Sequence, residues 1–302
     1  MIQKTENRDL YSLSNIYSNL YPGAFVDYWF DEEFDPLNSY IVKDGADAIV
    51  ASLSARSGGI LLEDKNIGYA LLSQLYINGE YEKKNMARDM MREVMDELSH
   101  QKLIVLAKTE GYEVYKQLGF EPLYTRKTYT ISRSQVAQYT AGGIYDQYQE
   151  KDLLQAYSQF ISFFNGARIR SLKDFEKKRA YHKATGKKVL AYYKGENRCE
   201  GYVVYDPLSY PLEVEEFVYL NSTAFLKLMS YLLNIKDSVT LSLTPQEKIS
   251  KMVPTAVGKE KSDTWAKITD YGLFNRLFNT EISSIRELTE ISRKPFYFNE
   301  PF

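Results

Sequence analysis

Apolar positions 10, 13, 16 and 20 recur at helical spacing, and Pro22-Gly23 ends that run. Residues 25–34 are too dense in aromatics for a solvated loop. The pattern then shifts to period two. Residues 39–43 and 46–55 read as strands joined by Asp44-Gly45, a dipeptide suited to the positive φ of a tight hairpin. Gly58-Gly59 opens a further strand to residue 62, and residues 69–77 are apolar enough for a buried central strand. From 84 to 100 the period returns to 3.6: Met86, Met90, Val94 and Leu98 share a face, with Ala87, Met91 and Met95 beside it. A strand at 103–108, a short helix at 112–118 capped by Gly119, and a strand at 120–131 bring a first unit to its end near residue 133.

The second half repeats this order. Helical patterns at 151–164 and 172–182, the latter with Ser171 as N-cap, precede strands at 188–194, 199–206 and 212–220. A helix at 223–233 and a strand at 239–243 follow, and 264–268 reads as a last strand. Three strands, a helix and a strand thus occur twice. The expectation is an α+β (mixed α/β) chain of two tandem domains, residues 1–133 and 134–270. Each has a mixed, mostly antiparallel sheet flanked by helices. Residues 271–302 are left for short helices and an aromatic tail ending Phe296-Tyr297-Phe298-Asn299-Glu300-Pro301-Phe302.

Composition narrows the function classes. A chain of 302 residues suits two cores, and 44% hydrophobic with 26% charged residues reads as a globular protein. A net charge of −2 offers no basic excess for phosphates, so no nucleic-acid partner is expected. No apolar run approaches the roughly 20 residues that cross a bilayer, so no membrane is expected either. Cys199 is the lone cysteine, which leaves no disulfide framework and points to a reducing cytoplasm. Only His100 and His182 are present, far apart, which leaves no basis for a histidine metal site or a Ser-His-Asp triad. Acid–base work falls to other groups, and tyrosine, with 26 copies, is the first to consider.

The segment from 69 to 120 runs strand, Gly79-Glu80-Tyr81-Glu82-Lys83-Lys84-Asn85-Met86-Ala87, long helix, strand, short helix, then Tyr115-Lys116-Gln117-Leu118-Gly119-Phe120. It resembles the Gcn5-related N-acetyltransferases (GNATs). Their motif, Arg/Gln-x-x-Gly-x-Gly/Ala, aligns with Glu82, Asn85 and Ala87, and Tyr81 stands where an aromatic is common. In that family the loop amides and the positive end of the helix dipole hold the diphosphate of acetyl-CoA. The resemblance therefore implies that Lys83, Lys84, Asn85, Met86 and Ala87 hold the cofactor. Glu82 departs from the pattern, and Lys83 and Lys84 offset its charge. The resemblance also implies a bulged central strand splayed from its neighbour. The backbone of Leu75 and Ile77 would pair with the pantetheine arm and hold the thioester oxygen as charge develops on it. Without the resemblance, the same residues read as a solvated turn and an ordinary core strand.

Tyr115 stands in a Tyr-x-x-x-Gly-Phe segment like that of the family, where the tyrosine protonates the departing CoA thiolate. Thr109-Glu110-Gly111 and Asp263-Thr264-Trp265-Ala266-Lys267-Ile268-Thr269-Asp270 are similar to segments of the Eis (enhanced intracellular survival) acetyltransferases. Those pair an active GNAT domain with one that has lost the cofactor loop. Leu220-Asn221-Ser222-Thr223 agrees with such a loss. The resemblance adds Gly111 to the cofactor site and brings the Phe302 carboxylate to the active site as base or anchor. Asp27, Trp29 and Glu300 are expected to shape an amine pocket. The expected reaction is acetyl transfer from acetyl-CoA to a primary amine of a small molecule or peptide, with no metal, and a homo-oligomer is compatible with it. The sterol-carrier-like third domain of Eis proteins has too few residues here after position 270. A non-catalytic binding module and a Fem-like aminoacyl transferase are the alternatives.

Overall fold

The computed structural model describes residues 2–81, 85–108, 112–140, 142–195 and 198–300. The elements run β1 (Ile2–Lys4), α1 (Leu10–Ser18), α2 (Gly23–Tyr28), β2 (Ser39–Lys43), β3 (Ile49–Leu62), β4 (Lys65–Ile77), α3 (Met86–Ser99), β5 (Ile104–Lys108), α4 (Tyr112–Gln117) and β6 (Glu121–Ser132). They continue with β7 (Ile144–Tyr145), α5 (Glu150–Ile161), β8 (Ala167–Arg168), α6 (Leu172–Ala184), β9 (Lys188–Lys194), β10 (Arg198–Asp206), β11 (Leu212–Tyr219), α7 (Ser222–Ile235) and β12 (Ser238–Leu243). β13 (Gly258–Ile268), α8 (Tyr271–Phe278) and α9 (Ile285–Ile291) close the order.

Two compact units result. One joins residues 1–124, 262–293 and 300–302; the other joins 125–261 and 294–299. Segment 262–270 thus returns to the first unit, because Thr264–Ile268 pairs antiparallel with β5 from Lys108 to Ile104. The first unit orders its strands β1-β2-β3-β4-β5-β13, and the second orders β6-β12-β11-β10-β9-β7. β4 pairs parallel with β5, and β11 parallel with β12. Each parallel pair needs a crossover, supplied by α3 and α7 respectively.

Two local readings change. The hairpin after β2 is longer than Asp44-Gly45. Asp44 Oδ1 accepts the amides of Ala46 and Ala48 at 2.9 and 3.0 Å, and Asp47, not Gly45, takes the positive φ of 65°. Gly58-Gly59 does not start a strand but lies inside β3. A Cβ at Gly58 would stand 2.7 Å from the Tyr69 ring, so the glycine admits a cross-strand tyrosine.

In the first unit, α3 buries Met90, Met91, Val94, Met95 and Leu98 against Leu53, Ala55, Leu72 and Val105. In the second, β10 sends alternate residues to two cores. Val203 and Tyr205 meet α7 through Phe225 and Leu228, while Tyr202 and Val204 meet α5 and α6 through Tyr157 and Phe175.

His182, near the end of α6, is buried with Lys178, Lys187 and Arg170 around it and Glu216 opposing them. Glu215 Oε1 lies 3.8 Å from its Nε2. Burial, helped by those cations, lowers its pKa from 6.5 to about 3. The folded state therefore binds fewer protons than the unfolded state below pH 6.5. Stability is complete above that pH and falls as pH drops toward 3. The expected loss between pH 7 and pH 5 is about 2 kcal/mol in urea unfolding, and His182→Gln should remove that slope.

Candidate active site

The first unit departs from a regular sheet where β4 leaves β5. Their parallel register runs from Tyr69 opposite Ile104 to Leu72 opposite Ala107 and stops there, although β4 continues to Ile77. On the other edge of β4 the register with β3 shifts between Ser52 and Ser54. Gln74 sits in that bulge at φ 54°, a rare backbone for a residue with a side chain. Tyr17, from α1, donates its hydroxyl to the Gln74 carbonyl at 3.4 Å. In a trans peptide the next amide, that of Leu75, points the opposite way. Leu75 and Ile77 are half-buried and rest their side chains on the α3 core.

Residues 78–85 link β4 to α3. Glu82, Lys83 and Lys84 lie outside the described residues. Asn85 is the N-cap of α3 in left-handed geometry, φ 56° and ψ 17°. Asparagine tolerates that conformation better than most side chains. Met86 and Ala87, both half-buried, form the first turn, so their amides are among the free donors of the helix start. Asn85→Gly should leave stability close to wild type, whereas Asn85→Val should cost about 1–2 kcal/mol in thermal unfolding.

Tyr115 is held by a helix terminus that the sequence spells out. Phe120 N–H donates to Tyr115 O at 3.0 Å and Gly119 N–H to Lys116 O at 3.0 Å, with Gly119 at φ 79°. This is a Schellman motif, whose usual apolar contact joins the residue after the glycine to the one five places before it. Here that contact is Phe120 on Tyr115, with ring centroids 5.5 Å apart. Lys267 Nζ donates to Leu118 O at 2.8 Å and ties α4 to β13. Tyr115 is 4% exposed. Gly111 and Phe302 lie outside the described residues.

The second unit carries the same departure. β11 pairs with β12 from Leu212 opposite Val239 to Val214 opposite Leu241, then runs on to Tyr219 paired with β10 but not with β12. Glu215 is the extra residue of a bulge against β10. Only Leu220 and Asn221 separate β11 from α7, too little chain for an anion-binding loop. The tail fills this divergence. Asn299 Nδ2 donates to Glu215 O at 2.9 Å, and its Oδ1 accepts from Arg126, which also donates to Ser242 O of β12 at 2.5 Å. Tyr297 packs 5.2 Å from Phe160 and 5.1 Å from Phe164, and the tail bonds with both backbone groups of Asn165. Glu247, buried beside Tyr219, has its pKa raised by burial.

Residues 166–265 match the family model described as an acetyltransferase (GNAT) domain. No match was found among curated protein sequences. Solved structures agree over most of the chain. A conserved protein of unknown function from Enterococcus faecalis V583 superposes at TM-score 0.76 with 20% identity, over 91% of this chain and 73% of that one. A GCN5-related N-acetyltransferase from Anabaena variabilis gives 0.74 at 14% identity, over 89% and 73%. Eis1 from Mycobacterium abscessus gives 0.67 at 13%, over 89% and 74%. The fold is that of these GCN5-related N-acetyltransferase structures.

The family match lies almost wholly on the second unit, whose β11–α7 link is short, while the bulge, the longer link and Tyr115 lie on the first. Of the expected pocket residues, Asp27 and Trp29 do not share a face. Asp27 is exposed on α2, whereas Trp29 is buried, stacked 6.2 Å from Phe25 with Arg56 5.6 Å from its ring. Residues two apart on a helix face different ways, so one entering the core sends the other to solvent. Glu300 is buried. Sequence reasoning missed Ser73 and Gln74. The signal was present: two adjacent polar residues interrupt the apolar run 69–77. Cys199 is buried and its thiol is pushed up to about 11 by that burial, which leaves it unreactive. Among the described residues no cluster of acidic, histidine or cysteine side chains suits a metal, and no helix is long and apolar enough to cross a membrane.

Proposed function

We propose that the chain is a cytoplasmic N-acetyltransferase that moves an acetyl group from acetyl-CoA to a primary amine of a small molecule or peptide. The observation that carries this reading is the bulge at Gln74 combined with the parting of β4 from β5 after Leu72. The parting leaves the β4 backbone between Leu75 and Ile77 without its parallel partner, and a pantetheine arm is an extended chain able to replace it. The Leu75 amide, turned away from Tyr17, is a donor for the thioester oxygen. The amides of Asn85, Met86 and Ala87, with Lys83 and Lys84, suit a diphosphate. Tyr115 returns a proton to the sulfur. The Phe302 carboxylate or water takes the proton that the amine loses.

The buried rings of Tyr115 and Phe120 fit a site that excludes water. The second unit, with its divergence filled by residues 297–299, acts as scaffold. Calorimetry with acetyl-CoA, followed by thiol release with kanamycin, spermidine, Nα-acetyl-lysine and dialanine, tests the reading. One acetyl-CoA per chain and turnover with at least one amine are expected. No binding at high micromolar protein would leave the chain a non-catalytic module built on the same fold.

A further inference from the structure

We infer that Gln74, with Ser73 beside it, positions the acceptor amine; this rests on the acetyltransferase reading of the first unit. The face of the sheet turned away from α3 carries a row of hydroxyls. Ser39 lies opposite Ser54 across β2 and β3, and Ser54 lies opposite Ser73 across β3 and β4. Their neighbours Leu53, Ala55 and Leu72 face the α3 core, so the period of two places the serines on the other side. All three serines are buried. Ser39 Oγ and Ser54 Oγ bond at 3.2 Å, and Tyr17 OH meets Ser52 Oγ at 3.4 Å. The row is therefore satisfied along most of its length, and it ends at the bulge with groups that are not.

Gln74 is 6% exposed, and neither Oε1 nor Nε2 of its carboxamide has a partner; the Ser73 hydroxyl has none either. A buried amide normally finds hydrogen bonds, and one that lacks them is best explained by a group it is built to receive. Its backbone is fixed in an uncommon conformation by the Tyr17 bond, so its side chain starts from a defined place. That place is the bulge at which β4 leaves β5, where the proposed reaction locates the thioester. Gln74 Oε1 accepts an N–H of the amine, leaving the nitrogen lone pair for the carbonyl carbon. On an acceptor that carries an oxygen near that amine, Nε2 and the Ser73 hydroxyl donate to it. The row from Ser39 to Gln74 holds no carboxylate, so the amine is held there by hydrogen-bond geometry and not by ionic attraction.

The test uses the full chain, acetyl-CoA and the best substrate among kanamycin, spermidine, Nα-acetyl-lysine and dialanine. Gln74→Met keeps the side-chain length and removes both hydrogen-bonding groups. It is expected to raise the amine KM tenfold or more while the acetyl-CoA Kd and the thermal midpoint stay at wild-type values. Gln74→Glu restores an acceptor oxygen and should bring the amine KM back to within threefold. A purely structural glutamine would shift the midpoint and both substrates together. If Gln74→Met does not fold, Ser73→Ala is measured the same way, with at least a threefold rise expected. Acetyl-CoA binding and turnover with an unmoved amine KM would overturn this inference alone. A wild-type chain that binds no acetyl-CoA would overturn the acetyltransferase reading and the inference with it.

Discussion

Replacing Tyr115 with phenylalanine is expected to lower kcat by about 10²–10⁴-fold, the usual contribution of a positioned general acid, and to leave the acetyl-CoA Kd unchanged. A thiol has an ordinary pKa of about 8.5 and a tyrosine about 10, so full proton transfer is uphill by roughly 2 kcal/mol in unperturbed surroundings. A thiolate expelled into a closed site has no water to meet it, and a phenol held at the sulfur removes that barrier. Phenylalanine keeps the ring that packs 5.5 Å from Phe120, and the Schellman bonds of residues 115–120 are backbone bonds. The substitution therefore removes one hydroxyl and no packing. A single-turnover measurement with saturating acetyl-CoA reads the chemical step directly. An unchanged rate would remove Tyr115 from the chemistry. A lost Kd would make it a structural residue at the cofactor cleft.

What the sequence disclosed about this site follows from the range of the interactions involved. The Tyr115 segment was legible because a Schellman terminus is local: glycine supplies the left-handed position, and the two aromatic rings meet through backbone bonds spanning six residues. The helical face of α3 was legible for the same reason, since burial at 90, 91, 94, 95 and 98 is a periodicity of neighbours. Asn85 announced its left-handed backbone through residue type. Pairing partners far apart in sequence left no such trace. Nothing in residues 264–268 says that they close the first unit's sheet against β5. The extent of β3 through Gly58-Gly59 depends on Tyr69, a partner across the hairpin. Asn299 meets Arg126, and neither residue is informative without the other. Ser73-Gln74 lies between these cases. Its polarity was visible, but its meaning required knowing that β4 loses a neighbour at that point.

Arg170→Met is expected to destabilise the protein by about 3–5 kcal/mol, the largest effect on stability of any single change considered. Arg170 Nη2 donates to Glu216 Oε1 at 2.7 Å, and the two side chains are 0% and 2% exposed. Tyr202 donates to the other carboxylate oxygen at 3.0 Å. The guanidinium lies 4.0 Å from the Tyr157 ring and donates to Asn299 O at 3.1 Å. One side chain therefore neutralises a buried carboxylate next to the β11 bulge and holds the tail that fills the divergence beyond it. Removing it leaves Glu216 charged and buried, and that uncompensated charge dominates the loss. Arg170→Lys is not a conservative replacement, because an ammonium cannot span the carboxylate and the Asn299 carbonyl while stacking on Tyr157. The double variant Arg170→Met, Glu216→Leu removes both charges and should recover most of the stability, while Asn299→Ala, which deletes only a carboxamide that bonds to Glu215 O and Arg126, should cost far less. Urea unfolding of the four variants decides the matter: if Arg170→Met and Arg170→Lys both fall within 1 kcal/mol of wild type, the pair is not what holds the second unit and its tail together.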